Sequence, residues 1–235
     1  VLFVFFVAKP LIIAHRGAST ERPENTLAAF RRALALDVDG IELDVRMTRD
    51  GVPVVFHDPG LRRMTGAAGR LANLTWAELR PRRIRSLEPI PRLVDVLALT
   101  RGLVVVQIEL KGGPVAPVVR AIRKARAEEW VILSSFDRRR VATARDLAPA
   151  IPRMLISEGR EAPATLVRRL AACGAAGLSV DHRAIRSEAW INHFHSRGYA
   201  LWAWTVNDPT VARRLTGWGI DAVLSDDPAL MRDAV

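Results

Sequence analysis

GIELDVRMTRDGVPVVFHD, residues 40–58, is the stretch on which the fold turns. Its first part, IELDV (41–45), is an apolar strand interrupted by Glu42 and Asp44, which stand two apart and therefore share a face. Arg49-Asp50-Gly51 signals a tight turn, so 45–56 reads as a hairpin attached to the end of that strand, with His57 directly after it. Charged groups on apolar strands are costly to keep unless something there uses them. The pattern recurs on either side. LIIAHRG (11–17) sets His15 and Arg16 just beyond one strand, and VVVQIELK (104–111) carries Glu109 and Lys111 two apart on another. Three carboxylates, two imidazoles and two cationic side chains describe a divalent-metal site that handles a phosphate.

The wider rhythm is strand then helix. Apolar strands fall near 11–14, 41–45, 103–109, 131–135, 153–156, 178–180, 200–206 and 221–224. Helical patterns lie near 24–36, 90–99, 115–128, 137–147, 161–172, 187–197, 209–216 and 227–232. Most strands are Val/Ile/Leu runs, as parallel strands covered on both faces require. Asp208-Pro209 and Asp227-Pro228 pair an acidic cap with a first-turn proline, and Pro23 is placed to open the first helix. Eight such units fit an α/β fold of the (β/α)8 TIM-barrel type. The structural rival is an open doubly wound sheet, but the glycines form no dinucleotide or Walker loop. The chain, 1–235, reads as a single catalytic barrel domain with a small insertion at about 46–88, after the second barrel strand. Within it Thr75-x-x-Glu78 forms a capping box. The connection 59–88 is longer than a barrel needs, which suits either a substrate-covering cap or simple decoration.

A chain of 235 residues with 49% apolar content supports one sizeable core. The formal charge of +10 raises nucleic acid or anionic lipid as partners. The arginines are scattered through helical stretches, however, and the aromatics do not interleave with them, so nucleic acid is not expected. The lone Cys173 excludes an intrachain disulfide and a thiolate metal cluster. VLFVFFVA (1–8) is too short to span a bilayer and lacks the basic leader of a signal peptide. It reads as a first strand, a cap or the stub of something longer. A cytoplasmic location is the default expectation, with peripheral membrane contact left open by that segment.

HRGASTERPENT (15–26), GIELDVRMTRDGVPVVFHD, IELK (108–111), WTVND (204–208) and DAVLSDDP (221–228) together resemble the glycerophosphodiester phosphodiesterase family. The resemblance extends over nearly the whole chain. It implies a (β/α)8 barrel with an insertion after the second strand. It assigns His15 and His57 to acid–base catalysis and places Glu42, Asp44 and Glu109 around a divalent cation, Ca2+ or Mg2+. Arg16 would contact the phosphate, Lys111 would lie at the phosphate or metal edge, and Trp204 would line the glycerol or leaving-group side. Family members often close the last strand with threonine-aspartate, where this chain has Ser225-Asp226.

The chemistry suits these residue types. Attack on a phosphodiester builds negative charge, which a cation held by hard carboxylate oxygens offsets. A planar guanidinium meets two phosphate oxygens, and imidazoles near neutrality can remove one proton and supply another. The nucleophile is either water or the substrate's own neighbouring glycerol hydroxyl, which would pass through a cyclic phosphate. The expected reaction is metal-dependent hydrolysis of a glycerophosphodiester to sn-glycerol 3-phosphate and an alcohol. Two alternatives remain at this stage: a lysophospholipase D-type phosphodiesterase, and a noncatalytic module that binds phosphate esters. Lys111 could serve only to neutralise Glu109, Asn25 and Glu24 could support His15 or their own loop or equally mark the helix start, and Asp58 is expected to cap or orient the His57 loop.

Overall fold

The computed structural model describes residues 9–235, so the expectations attached to residues 1–8 lie outside the described residues. The chain begins with β1 (Leu11–His15), α1 (Leu27–Ala35), β2 (Gly40–Met47) and β3 (Pro53–Val55). An excursion follows, made of α2 (Arg62–Thr65), α3 (Trp76–Leu79), β4 (Arg83–Ile84) and β5 (Glu88–Pro89). Regular alternation then resumes with α4 (Leu93–Thr100), β6 (Val105–Leu110), α5 (Ala116–Ala125), β7 (Val131–Ser135) and α6 (Arg138–Leu147). It continues through β8 (Arg153–Ser157), α7 (Pro163–Cys173), β9 (Gly177–Asp181) and α8 (Glu188–His195). The last elements are β10 (Ala200–Trp204), α9 (Pro209–Gly217), β11 (Ala222–Ser225) and α10 (Pro228–Arg232).

Eight strands are parallel and run β1-β2-β6-β7-β8-β9-β10-β11 around a closed barrel, because β1 pairs with β2 on one side and β11 on the other. This is the expected (β/α)8 barrel. β3 adds antiparallel to β2 with Val45 opposite Val55, which is the hairpin that Arg49-Asp50-Gly51 announces. The first helix is shorter than its sequence pattern. Thr26, whose hydroxyl accepts from the Ala29 amide, starts it at Leu27, and Pro23 stays outside and accepts a hydrogen bond from Thr26. A side-chain oxygen satisfies a free helix amide, which proline cannot do. Asp208 and Asp227 cap α9 and α10 as expected.

Strand alternation divides the core in two. Ile12 and Ala14 pack outward with the helices, whereas Ile13 joins Ile132, Met154, Trp202, Ala222 and Leu224 in a plug inside the barrel. Gly40 makes room for that plug: a Cβ there would come within 2.6 Å of the Ile13 Cδ1. The excursion has a small core of its own, in which Phe56, Leu61, Met64, Leu79 and Ile84 pack against Val54. The Thr75–Glu78 capping box is formed and sets the direction of α3. Among the described residues no helix is long and apolar enough to cross a membrane.

Candidate active site

The carboxyl ends of the barrel strands surround a cavity of about 250 Å3. His15, Arg16, Glu42, His57, Glu109, Lys111 and Trp204 all line it, and Asp44 lies fully buried behind them. Every site residue expected from the sequence therefore converges on one place. Loops at this end carry the chemistry in barrel enzymes because the strand ends can present several side chains to one point.

The first loop turns on two left-handed residues, Arg16 (φ 58°) and Gly17 (φ 83°). Gly17 is required there, since a Cβ would meet the Ala29 backbone at 2.7 Å. The turn aims the Arg16 amide at Glu42 Oε2 (3.1 Å) and its guanidinium at Glu24 (3.0 Å). Arg16 Nε also faces Asp44 Oδ2 at 3.2 Å, an ion pair without hydrogen-bond alignment. Asn25 donates to Asp44 Oδ2 (2.7 Å) and accepts from the Asp44 amide (3.2 Å). Asn25 thus fixes Asp44, a partner outside the three roles the sequence suggests for it: support of His15, support of the loop and a helix start. Glu24 instead links Arg16 to Arg63 of α2.

Glu42, Asp44 and Glu109 offer oxygens that all lie within 4.8 Å of one another. Lys111 Nζ reaches Glu109 Oε1 at 2.8 Å and Asp44 Oδ1 at 3.3 Å, so it touches two members of the cluster and does more than neutralise one. Burial, followed by repulsion from Asp44 and Glu109, raises Glu42 well above the usual carboxylate range. Burial and Asp44 raise Glu109 to about 7. Burial also opposes ionisation of Asp44, but Arg16 and Lys111 hold it below its ordinary value. Carboxylates packed this closely repel one another unless a cation sits between them. Asp44 Oδ1 is buried and faces the Lys111 ammonium at 3.3 Å without hydrogen-bond alignment, so it keeps lone pairs that can coordinate. The set fits a divalent cation.

Each histidine is held by an acid. His15 Nδ1 bonds Asp226 Oδ1 at 2.7 Å, and His15 Nε2 points toward Glu42 (3.9 Å). His57 Nδ1 bonds Asp58 Oδ1 at 2.6 Å, and its carbonyl accepts from Arg46 Nε at 2.7 Å. Arg63 clamps Asp58 from behind and, with the His57 bond, outweighs its modest burial to hold it at about 2. Burial would raise Asp226, yet the bond to His15, assisted by Asn207 and Ser19, brings it to about 2. Burial lowers His57 despite the pull of Asp44 and Asp58. Asp226, which nothing in the sequence alone assigns a role, is the partner of His15. The signal lay in barrel closure: Ala14 is in register with Ser225, so His15 and Asp226 follow at neighbouring strand ends.

A closed barrel with a buried acidic cluster flanked by imidazoles and cations defines an enzyme that works on phosphate esters. Comparison with known proteins narrows the class. The model of the glycerophosphoryl diester phosphodiesterase family matches residues 15–230, and the chain belongs to that family. A glycerophosphodiester phosphodiesterase of Caldanaerobacter subterraneus subsp. tengcongensis is 32% identical over 254 residues, covering 97% of this chain and 98% of that relative. The solved phosphodiesterase of Oleispira antarctica, in complex with the product sn-glycerol-3-phosphate, superimposes with a TM-score of 0.90 at 29% identity over 96% of each chain. The glycerophosphodiester phosphodiesterase of Agrobacterium tumefaciens gives a TM-score of 0.85 at 28% identity, over 95% of this chain and 99% of that one. This chain is a phosphoric diester hydrolase.

Proposed function

We propose that this protein, read as one catalytic barrel domain with an insertion at about 46–88, hydrolyses glycerophosphodiesters to sn-glycerol 3-phosphate and an alcohol. The observation that carries this reading is the convergence of two carboxylate-held imidazoles, Arg16 and Lys111 on the same cavity as the acidic cluster. Glu42, Asp44 and Glu109 would hold Ca2+ or Mg2+, in keeping with an all-oxygen donor set. When bound, the ion would neutralise charge on the nonbridging oxygens and ease deprotonation of the nucleophile.

The other steps belong to the chain. Arg16 and Lys111 bind the diester through its phosphate oxygens. Asp226 and Asp58 fix the tautomers of His15 and His57 by accepting from Nδ1, which leaves each Nε2 to take or give a proton. One imidazole removes the proton of the attacking hydroxyl, and the other protonates the departing alkoxide. Trp204, packed edge-on against Phe136 at 5.7 Å, forms the apolar wall on the substrate side. The test is release of sn-glycerol 3-phosphate from glycerophosphocholine and glycerophosphoethanolamine by metal-stripped protein, with Ca2+ or Mg2+ then restored and His15→Ala as control. Metal-dependent release lost in the variant is the expected result. No release with either ion counts against the reading.

The excursion favours a second reading, in which a lipid surface presents the diester, as a lysophospholipase D-type activity would require. Arg80, Arg82, Arg83 and Arg85 surround the β4–β5 hairpin, whose left-handed tip at Arg85 and Ser86 leads into Leu87, 76% exposed. Glu88 of β5 is the one acid within the hairpin, and the acid before it in sequence, Glu78, is paired with Arg49. Basic groups around an apolar tip suit peripheral contact with anionic lipid. Co-sedimentation with phosphatidylglycerol vesicles that Leu87→Glu abolishes, together with choline release from lysophosphatidylcholine, would support it. Binding to neither vesicle nor lysolipid would remove it.

A further inference from the structure

The cavity contains polar groups that the phosphate chemistry leaves unused. Gln107 is 1% exposed, and neither its amide nitrogen nor its oxygen has a hydrogen-bond partner among the described residues. Ser179, also 1% exposed, has an unpartnered hydroxyl. Both line the same cavity as His15 and Lys111. Gln107 precedes Glu109 by two on β6 and therefore shares its inward face, one residue layer deeper in the barrel. Ser179 lies on β9, three strands away around the closed barrel, so the two groups approach the cavity from different walls.

A buried amide with nothing to bond is costly, and Gln107 lies in register between Glu42 on one side and the apolar Ile132 on the other. An inward position of this kind normally takes Leu, Ile or Val. Here the polar pair shares the cavity with the apolar side chains of Phe136, Ile156 and Leu224, Ile156 being in register with Ser179. An amide that can donate and accept, a hydroxyl, and a hydrocarbon wall beneath a cationic rim complement a small polyol phosphate. The phosphate stays at the rim, the carbons rest on the wall, and a hydroxyl reaches the floor.

We propose that Gln107 and Ser179 form the subsite that reads the terminal hydroxyl of the substrate's glycerol, and so determine specificity in the hydrolysis proposed above, on which this inference rests. Ligand hydroxyls satisfy the orphaned atoms. An analogue without that hydroxyl leaves them buried and unpaired, and such a site rejects it for that reason.

The experiment uses metal-loaded wild type, Gln107→Met and Ser179→Ala. Turnover is compared for glycerophosphoethanolamine and its propane-1,2-diol analogue, which keeps the hydroxyl beside the phosphate ester and lacks the terminal one. Calorimetry compares binding of the two corresponding monophosphates, and Tm is measured for each protein. Wild type should favour the glycerol members by at least about 10-fold, and Gln107→Met should bring the ratio to within about threefold. Tm of Gln107→Met should equal or exceed that of wild type, because an unsatisfied amide has been replaced by an apolar chain of similar size. An unchanged ratio in both variants, with wild-type turnover intact, overturns the subsite and leaves the hydrolase reading standing. So does a fall in Tm of Gln107→Met with the ratio preserved, which would mark Gln107 as structural. A wild type that neither hydrolyses nor binds the glycerol members overturns both readings.

Discussion

Two carboxylates outside the proposed ligand set hold the two histidines, and each gives a distinct prediction. Asp226→Asn keeps the size of the side chain but lets an amide donor face His15 Nδ1, which favours the wrong tautomer. We expect kcat to fall by about 10²-fold or more with Tm little changed at neutral pH. Steady-state kinetics and a melting curve check this. Asp58→Asn acts on His57 differently. Burial already lowers His57, and the Asp58 carboxylate opposes that shift. Its removal lowers His57 further, so the limb of the pH–rate profile that belongs to His57 should move to lower pH. A profile that stays in place would separate Asp58 from the titration. At this scale the sequence was legible wherever a charge interrupted an apolar strand, as at Glu42, Asp44 and Glu109. It was not legible for Asp226 and Asn25, which lie in polar loops, or for Arg63 of the short helix α2, where such side chains are unremarkable.

Elements position these residues, and the tightest constraint is the first loop. Gly17→Ala sets a Cβ at 2.7 Å from the Ala29 backbone in a left-handed conformation, so α1 or the loop must shift. A loss of about 2 kcal/mol or more is expected, measured by denaturant unfolding, with activity falling alongside because Arg16 is the preceding residue. At the opposite end of the barrel, His195 of α8 bonds Asp221 at 2.8 Å just before β11, and that bond raises its pKa against the effect of burial. The stabilisation is fully present below the ordinary histidine value of 6.5 and is lost as pH rises through the raised one. His195→Gln should flatten Tm against pH across that window; an unaltered slope would assign it to another group. Strand and helix positions were readable within a few residues because apolar runs and Asp-Pro caps are local signals. The start of α1 was not, since Pro23 and Thr26 both suit a helix start and only the packing of the loop selects Thr26.

For the molecule as a whole, the cation and the fold are linked. The three proposed ligands come from β2 and β6, neighbours in the barrel but separated in sequence by the whole excursion. An ion that binds them only when folded adds about 2.7 kcal/mol of stability at a hundredfold excess over its Kd. Chelation should therefore lower Tm, and Ca2+ or Mg2+ should restore it. Glu42→Gln should reduce both the Tm gain and the metal-dependent activity; a full gain in that variant would remove Glu42 from the ligand set. The barrel itself was legible from eight repeated units, but its seam was not, since no local pattern states which strand meets the first. That seam sets a condition on timing. His15 and Asp226 stand 211 residues apart and become partners only when β11 docks beside β1. During synthesis Glu42, Asp44 and Glu109 emerge well before Asp226, so a growing chain on the ribosome carries His15 without its anchor until β11 is released. Fragments that stop before β11 lack the group that fixes His15, so the appearance of full activity after translation should report closure of the ring.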